Sequence, residues 1–156
     1  MRGIKSLIAT LKKHNLTLAA AESCSAGYLS YLLTKTPGSS KVFKGGIVAY
    51  SLTAKAKFFK IPYSTLKKTQ GVSKEVALSL AKGIRKLFNT DLGISIVGFA
   101  GPETKKGVKP GTVFIGLSDK NNVMSKKYII KGSRDRVRKK VSEKAIELIF
   151  KKLKRY

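Results

Sequence analysis

The stretch Ala19-Ala20-Ala21-Glu22-Ser23-Cys24-Ser25-Ala26-Gly27 places two serines and a cysteine among small residues, where an apolar run ends and a helical period begins. A serine at such a junction, Ser23, suits a nucleophile. Amides at a helix N-terminus and the positive end of its dipole stabilise both a developing alkoxide and an oxyanion. The same spacing also fits a plain N-cap filled by Ser23 or Ser25. Cys24 reads either as a small buried filler or as a reactive thiol.

A serine nucleophile needs a base, and the inventory is narrow. The single histidine, His14, sits at the end of a first helical pattern with no partner residues nearby. It reads as a surface or capping residue, which argues against a Ser-His-Asp triad. A desolvated lysine is the other known solution. Lys55 qualifies by position: it closes Tyr50-Ser51-Leu52-Thr53-Ala54-Lys55, just after an apolar run, with Tyr50 five residues earlier as a proton relay. Serving as a base near neutrality requires its pKa to fall by roughly 3 from about 10.4, which burial can supply. Read alone, Lys55 is equally a solvated helix lysine. The segment from Gly98 to Thr112 is the third candidate, because Gly98, Gly101, Gly107 and Gly111 permit close backbone approach and Lys105, Lys106 or Lys109 would hold a phosphate. Its plain alternative is a flexible crossover loop. Neither a GxGxxG fingerprint nor a GxxxxGK[ST] loop occurs.

The elements that must position these residues follow from periodicity. Ile4, Leu7, Ile8 and Leu11 predict a helix over about 2–14, and Leu16 to Ala21 a strand. Tyr28, Leu29, Leu32 and Leu33 resume the helical period. Pro37 to Ser40 marks a turn, Gly46 to Ser51 reads as a buried strand, and a helix follows around Ala54 to Phe59. Ser73 caps a helix whose apolar face runs from Val76 to Phe88, with Asn89 at its C-terminus. Leu92 to Gly98 is an apolar strand. Thr112 to Leu117 and Val123 to Ile130 form a hairpin, and Ser133 caps a long last helix. Alternating strands and helices with one hairpin predict an α/β fold: a single three-layer α/β/α domain on a mixed sheet.

Composition sets the outer limits. A chain of 156 residues, 42% hydrophobic, suits one domain with a proper core. One cysteine excludes an internal disulfide, which fits a cytoplasmic location. No run approaches the roughly 20 apolar residues of a membrane span, and the N-terminus with Arg2 and Lys5 is amphipathic rather than a signal block. A soluble, unprocessed protein with no membrane partner is expected. Lys and Arg number 33 against 8 acidic residues, a formal charge of +25 that attracts phosphates of any kind. The lysines are spread along the whole chain without interleaved aromatics, which fits a solvated surface and leaves only a non-specific nucleic-acid partner open.

Several of these segments, in order, resemble the CinA C-terminal-domain family, also called nicotinamide-nucleotide amidohydrolases or deamidases. The resemblance is nearly full length. It rests on AESCSAG at 21–27, PGSS at 37–40, the following GGIVAYS, the AK at 54–55, GVS at 71–73, GFAGP at 98–102, PGTVFIGL at 110–117 and the basic GSRDRVRKK that opens the last helix. It implies hydrolysis of nicotinamide mononucleotide to nicotinate mononucleotide and ammonia, with no cofactor and no metal. Ser23 then corresponds to the nucleophile, Lys55 to the general base and Tyr50 to the third catalytic member. Helix N-terminal amides near Cys24 and Ser25 would hold the oxyanion. Substrate contacts are expected from Cys24, Ser25, Gly27, Gly98, Gly101, Thr112 and Arg134, with Arg136 and Lys109 as further phosphate candidates. The resemblance also implies a homodimer or larger homo-oligomer, and the family's larger N-terminal domain is absent, so a stand-alone form is expected.

Three departures stand out. Ser25-Ala26-Gly27 replaces the family's usual Thr-Gly-Gly, Leu52-Thr53-Ala54-Lys55 replaces Asn-Glu-Ala-Lys, and GFAGP runs into Glu103-Thr104-Lys105-Lys106 rather than further glycines. Two other readings therefore remain beside the enzyme: a basic nucleic-acid-associated module, and a paralogue that binds nucleotide without turnover.

Overall fold

The structure is a computed structural model and describes residues 2–154. Five strands form one sheet in the order β2-β1-β3-β4-β5. They are β1 (Leu18–Glu22), β2 (Phe43–Val48), β3 (Leu92–Gly98), β4 (Thr112–Ser118) and β5 (Val123–Ile129). β1 pairs parallel with both β2 and β3, while β3, β4 and β5 run antiparallel in succession. The helices are α1 (Arg2–Lys13), α2 (Tyr28–Thr34), α3 (Leu52–Phe59), α4 (Tyr63–Thr69), α5 (Lys74–Leu87) and α6 (Arg134–Leu153).

Two cores flank the sheet, and strand alternation decides which residue enters which. Leu18 and Ala20 of β1 face the core under α1, α2 and α6, while Ala19 and Ala21 face the core under α3, α4 and α5. Both faces of β1 are therefore covered, and the expected three-layer α/β/α arrangement on a mixed sheet is present. The alanines let helices approach a central strand closely. On one face the Ser95 hydroxyl donates to the Ala77 carbonyl at 2.6 Å, which ties α5 directly to β3.

The N-caps predicted at Ser73 and Ser133 hold, while the C-cap of α5 is Phe88, one residue before the expected Asn89. Ser73 accepts from the Val76 amide and Ser133 from the Arg136 amide, and Asn89 turns left-handed just after α5. Elsewhere the boundaries move for identifiable reasons. β1 starts at Leu18 rather than Leu16, because Leu16 still bonds back to Leu11 and Asp91 takes the Thr17 amide and hydroxyl. β2 is not a buried strand over 46–51: it runs Phe43–Val48 at the sheet edge with alternate residues exposed. Ser51 lies beyond it as the N-cap of α3. α4 was not expected, since Tyr63–Thr69 buries only Leu66 and so shows no apolar period. The β4–β5 hairpin turns on Asp119, whose carboxylate accepts from the Asn121 and Asn122 amides and pairs with Lys152 near the end of α6. No helix among the described residues is long and apolar enough to cross a membrane.

Candidate active site

The carboxyl ends of β1, β2 and β3 converge beside one another. β1 reaches β2 through α2 on one face, and β2 reaches β3 through α3, α4 and α5 on the other. This reversal opens a crevice above the end of β1, where α/β sheets place ligands. Ser23 stands there, the first residue after β1, its amide still bonded to the Ile96 carbonyl of β3 at 3.0 Å.

Lys55 reaches the same point from α3. Its ammonium nitrogen lies 2.9 Å from Ser23 Oγ, 2.8 Å from the Ala49 carbonyl and 3.1 Å from the Tyr50 carbonyl. The residue is only 2% exposed. Those three partners match the three protons of an ammonium. When one proton leaves, two N–H groups remain on the carbonyls and the lone pair faces Ser23. Burial pulls the Lys55 pKa from 10.5 down to about 8. About one molecule in ten is then neutral at pH 7. Gly71 gives the side chain its path: a Cβ there would sit 2.8 Å from Leu52 Cδ2 and 3.3 Å from both Cδ and Cε of Lys55. The solvated-lysine reading is thereby overturned.

Glu22 is the residue that sequence reasoning missed. It is 1% exposed, and its carboxylate accepts from the Gly27, Leu29 and Ser30 amides at 3.0, 3.1 and 2.8 Å and from the Ser30 hydroxyl at 2.6 Å. It therefore caps α2 from the end of β1, and the N-cap position itself is Gly27. Neither Ser23 nor Ser25 is the cap. The helix amides are thus occupied, and the donors left beside Ser23 are the Cys24 and Ser25 amides in the preceding turn, which donate to no other residue among those described. That corrects the expectation of an oxyanion site at a helix N-terminus. Ala26 holds φ 49°, so its methyl sits in a left-handed position where glycine is easier, rather than against a ligand.

Cys24 lines the crevice, yet burial pushes its thiol up to about 12, which keeps it protonated and answers the reactive-thiol alternative. Tyr50 is split between two roles. Its carbonyl holds Lys55, while the residue is 56% exposed and its hydroxyl accepts from Arg134 at 2.6 Å. Arg134, the first residue of α6, also donates to the Gly101 carbonyl at 2.9 Å, bridging the segments that follow β2 and β3. The crevice holds about 240 Å³, and its wall is completed by Gln70, Val72, Gly98 to Ala100 and Glu103.

Most other predicted contacts lie away from this wall, Gly98 excepted. Ser25 is fully buried behind it, its carbonyl accepting from the Tyr28 amide and, at 3.4 Å, from the Arg138 guanidinium. Gly27 serves the α2 cap. Thr112 is buried in the β3–β4 pairing, with its carbonyl on the Phe99 amide. Gly98 lines the crevice, but a Cβ there would meet Val113 at 2.4 Å, so its small size serves β4. Lys105 donates to the Lys68 carbonyl; Lys106, Lys109 and Arg136 do not line the crevice, nor does His14, whose amide bonds to Thr10 after α1. Among the described residues no three of His, Cys, Asp and Glu converge as a metal site would require.

Comparison with known proteins gives the family and the fold. The model of the CinA C-terminal domain matches residues 3–153. A competence-damage inducible protein of Bacillus subtilis is 39% identical over 150 residues, covering 96% of this chain and 36% of that protein. A CinA-like protein of Geotalea uraniireducens is 38% identical over 152 residues, with the same two coverages. The chain thus spans about a third of the length of these relatives. A competence or damage-inducible protein from Enterobacter asburiae superposes with a TM-score of 0.92 at 27% identity, over 97% of this chain and 96% of that one.

Two stability measurements follow. Glu22→Ala leaves three helix amides without their acceptor and is expected to cost at least about 3 kcal/mol, with Glu22→Gln costing less, read from urea midpoints. Lys55 gives a pH signature. Between its folded value near 8 and its unfolded value near 10.5 the unfolded chain binds more protons, so stability rises with pH in that window. Relative to Lys55→Met, the wild type is expected to gain about 3 kcal/mol from pH 7 to pH 11.

Proposed function

The chain belongs to the CinA C-terminal domain family, and we propose that it is an amidohydrolase whose nucleophile is Ser23 and whose general base is Lys55, acting on nicotinamide mononucleotide. The observation that carries this reading is the 2.9 Å contact between Ser23 Oγ and a buried lysine nitrogen whose pKa is lowered to about 8. A structural lysine gains nothing from a pKa drawn down toward neutrality beside a hydroxyl. A base does.

The reaction runs in two halves. Neutral Lys55 takes the Ser23 proton as Oγ bonds to the carboxamide carbon, and the Cys24 and Ser25 amides receive the negative charge that forms on the carboxamide oxygen. The Lys55 ammonium then protonates the departing nitrogen, the carbon–nitrogen bond breaks and ammonia leaves an ester on Ser23. A water molecule gives a proton to Lys55 and attacks the ester carbon. The bond to Oγ breaks, the proton returns to Ser23 and the carboxylate product is free. The Ala49 and Tyr50 carbonyls keep the nitrogen aimed at Oγ throughout, so no side-chain rotation is needed between halves.

A nicotinamide nucleotide fits the wall by chemistry. A crevice of about 240 Å³ lies below the usual size of drug-sized ligand pockets, so it encloses the ring and carboxamide while ribose and phosphate extend outward. Arg134 stands at the rim, on Tyr50 and Gly101, where the phosphate would emerge.

The experiment is direct: ammonia and nicotinate mononucleotide are measured from nicotinamide mononucleotide for the wild type, Ser23→Ala and Lys55→Ala. Wild-type turnover is expected, with losses of at least about a thousandfold in each variant. Because the neutral amine is the active form, kcat/KM should rise about tenfold per pH unit below pH 8 and level off above it. Full activity in Ser23→Ala, or a rate that falls with rising pH through 8, would remove the mechanism.

A further inference from the structure

Seven of the eight acidic residues have a partner in the fold. Glu22 caps α2, Asp91 holds Thr17, and Asp119 holds its own turn and Lys152. Asp135, Glu143 and Glu147 pair with Lys139, Lys140 and Lys144 along α6, and Glu75 sits against Ser73 at the start of α5. Glu103 is the exception. Among the described residues it makes no ion pair and no side-chain hydrogen bond, in a chain with 33 basic residues available to pair with it. Among the described residues it is also the only acidic one that lines the crevice holding Ser23 and Lys55.

Its location gives that solitude a direction. A round space of 240 Å³ is about 8 Å across, so a carboxylate on the wall lies within roughly one Debye length of any ring whose carboxamide reaches Ser23. The other charges on the wall are cationic: Lys55 at the floor, in its protonated fraction, and Arg134 at the rim. A wholly anionic ligand would meet one repulsive group here. A neutral ligand would gain nothing from it. A ring carrying a fixed positive charge gains at Glu103, and an anionic tail on the same molecule gains at Arg134.

We infer that Glu103 is a specificity-determining residue that selects a cationic N-alkylpyridinium ring, so that the crevice reads its substrate as a zwitterion, with ring charge on Glu103 and phosphate on Arg134. This rests on the amidohydrolase reading above and adds to it a reason for preferring the oxidised over the reduced form of the nucleotide. Glu103 is exposed, which limits the effect: one screened charge contact is worth about 1 kcal/mol, or about fivefold.

The test compares nicotinamide mononucleotide with its reduced form, which keeps the carboxamide and phosphate but has an uncharged dihydropyridine ring. For Glu103→Gln, the ratio of the two KM values is expected to shift about fivefold against the oxidised form, more for Glu103→Lys, with the shift shrinking in 0.5 M salt. Glu103→Asp should keep most of the preference. An unchanged ratio in Glu103→Gln and Glu103→Lys would overturn the inference, as would equal weakening of both ligands. Absence of turnover in the wild type would fall on the amidohydrolase reading instead. The charge preference is then read separately as the ratio of the two dissociation constants, by calorimetry on Ser23→Ala with and without Glu103→Gln.

Discussion

A lysine nitrogen enclosed by two carbonyls and one hydroxyl is the contact around which the rest of the crevice is arranged. Enclosure withdraws water from an ammonium and so favours the amine, while the carbonyls of Ala49 and Tyr50 favour the ammonium by accepting its protons. Burial prevails and draws the lysine down to about 8, where both forms are populated. Either influence alone would spoil a base. Without the carbonyls the amine would be free to rotate away from Ser23; without burial it would stay charged. Several unrelated features serve this balance: the Ser51 cap that begins α3, the missing side chain at Gly71, and the turn of β2 at Ala49, whose amide is fixed to the Glu22 carbonyl.

Glu22 solves the complementary problem. A nucleophile at the mouth of a strand must not drift, yet the turn from Ser23 to Gly27 contains no regular structure to hold it. The carboxylate that precedes Ser23 reaches past the turn and fastens the first amides of α2, so strand and helix are clamped across it. A negative charge at that helix end is favourable in itself. The cost is that these amides are no longer offered to a ligand, which shifts the oxyanion role to the turn. Clamp and donors are thus divided between the helix and the loop that precedes it.

Much of the fold was legible because its signals are local. Ser73 and Ser133 announce their helices, Asp119 its hairpin, and the apolar period of α5 its buried face. What escaped was long-range or conditional. The edge position of β2 is set by pairing order, which apolar runs do not encode, so Gly46 to Ser51 looked buried when half of the true strand faces outward. The serine cap was a sound local expectation defeated by Glu22, whose reach across the turn depends on β1 ending one residue before the nucleophile. Ser23 and Lys55 are 32 residues apart, and only parallel pairing of β1 with β2 brings them together. Residue types offered a Ser-Lys pair beside plainer readings of both residues; the similarity of motifs pointed to the positions. The isolation of Glu103 was visible to neither, since it requires knowing where the other seven acids are spent.

The surface charge acts on a different scale from the site. A field from 33 basic residues draws in anions without discriminating among them, because salt screens each exposed lysine within about 8 Å. Selectivity therefore has to come from groups inside the crevice, where separations are short. Attraction alone is a poor discriminator in a cell crowded with phosphates: every nucleotide satisfies an arginine. A carboxylate on the same wall as that arginine changes the comparison, since it adds a penalty for purely anionic ligands while rewarding one that also carries positive charge. The general field gathers candidates and the local dipole sorts them, so strong overall charge and a selective site are compatible in one small domain.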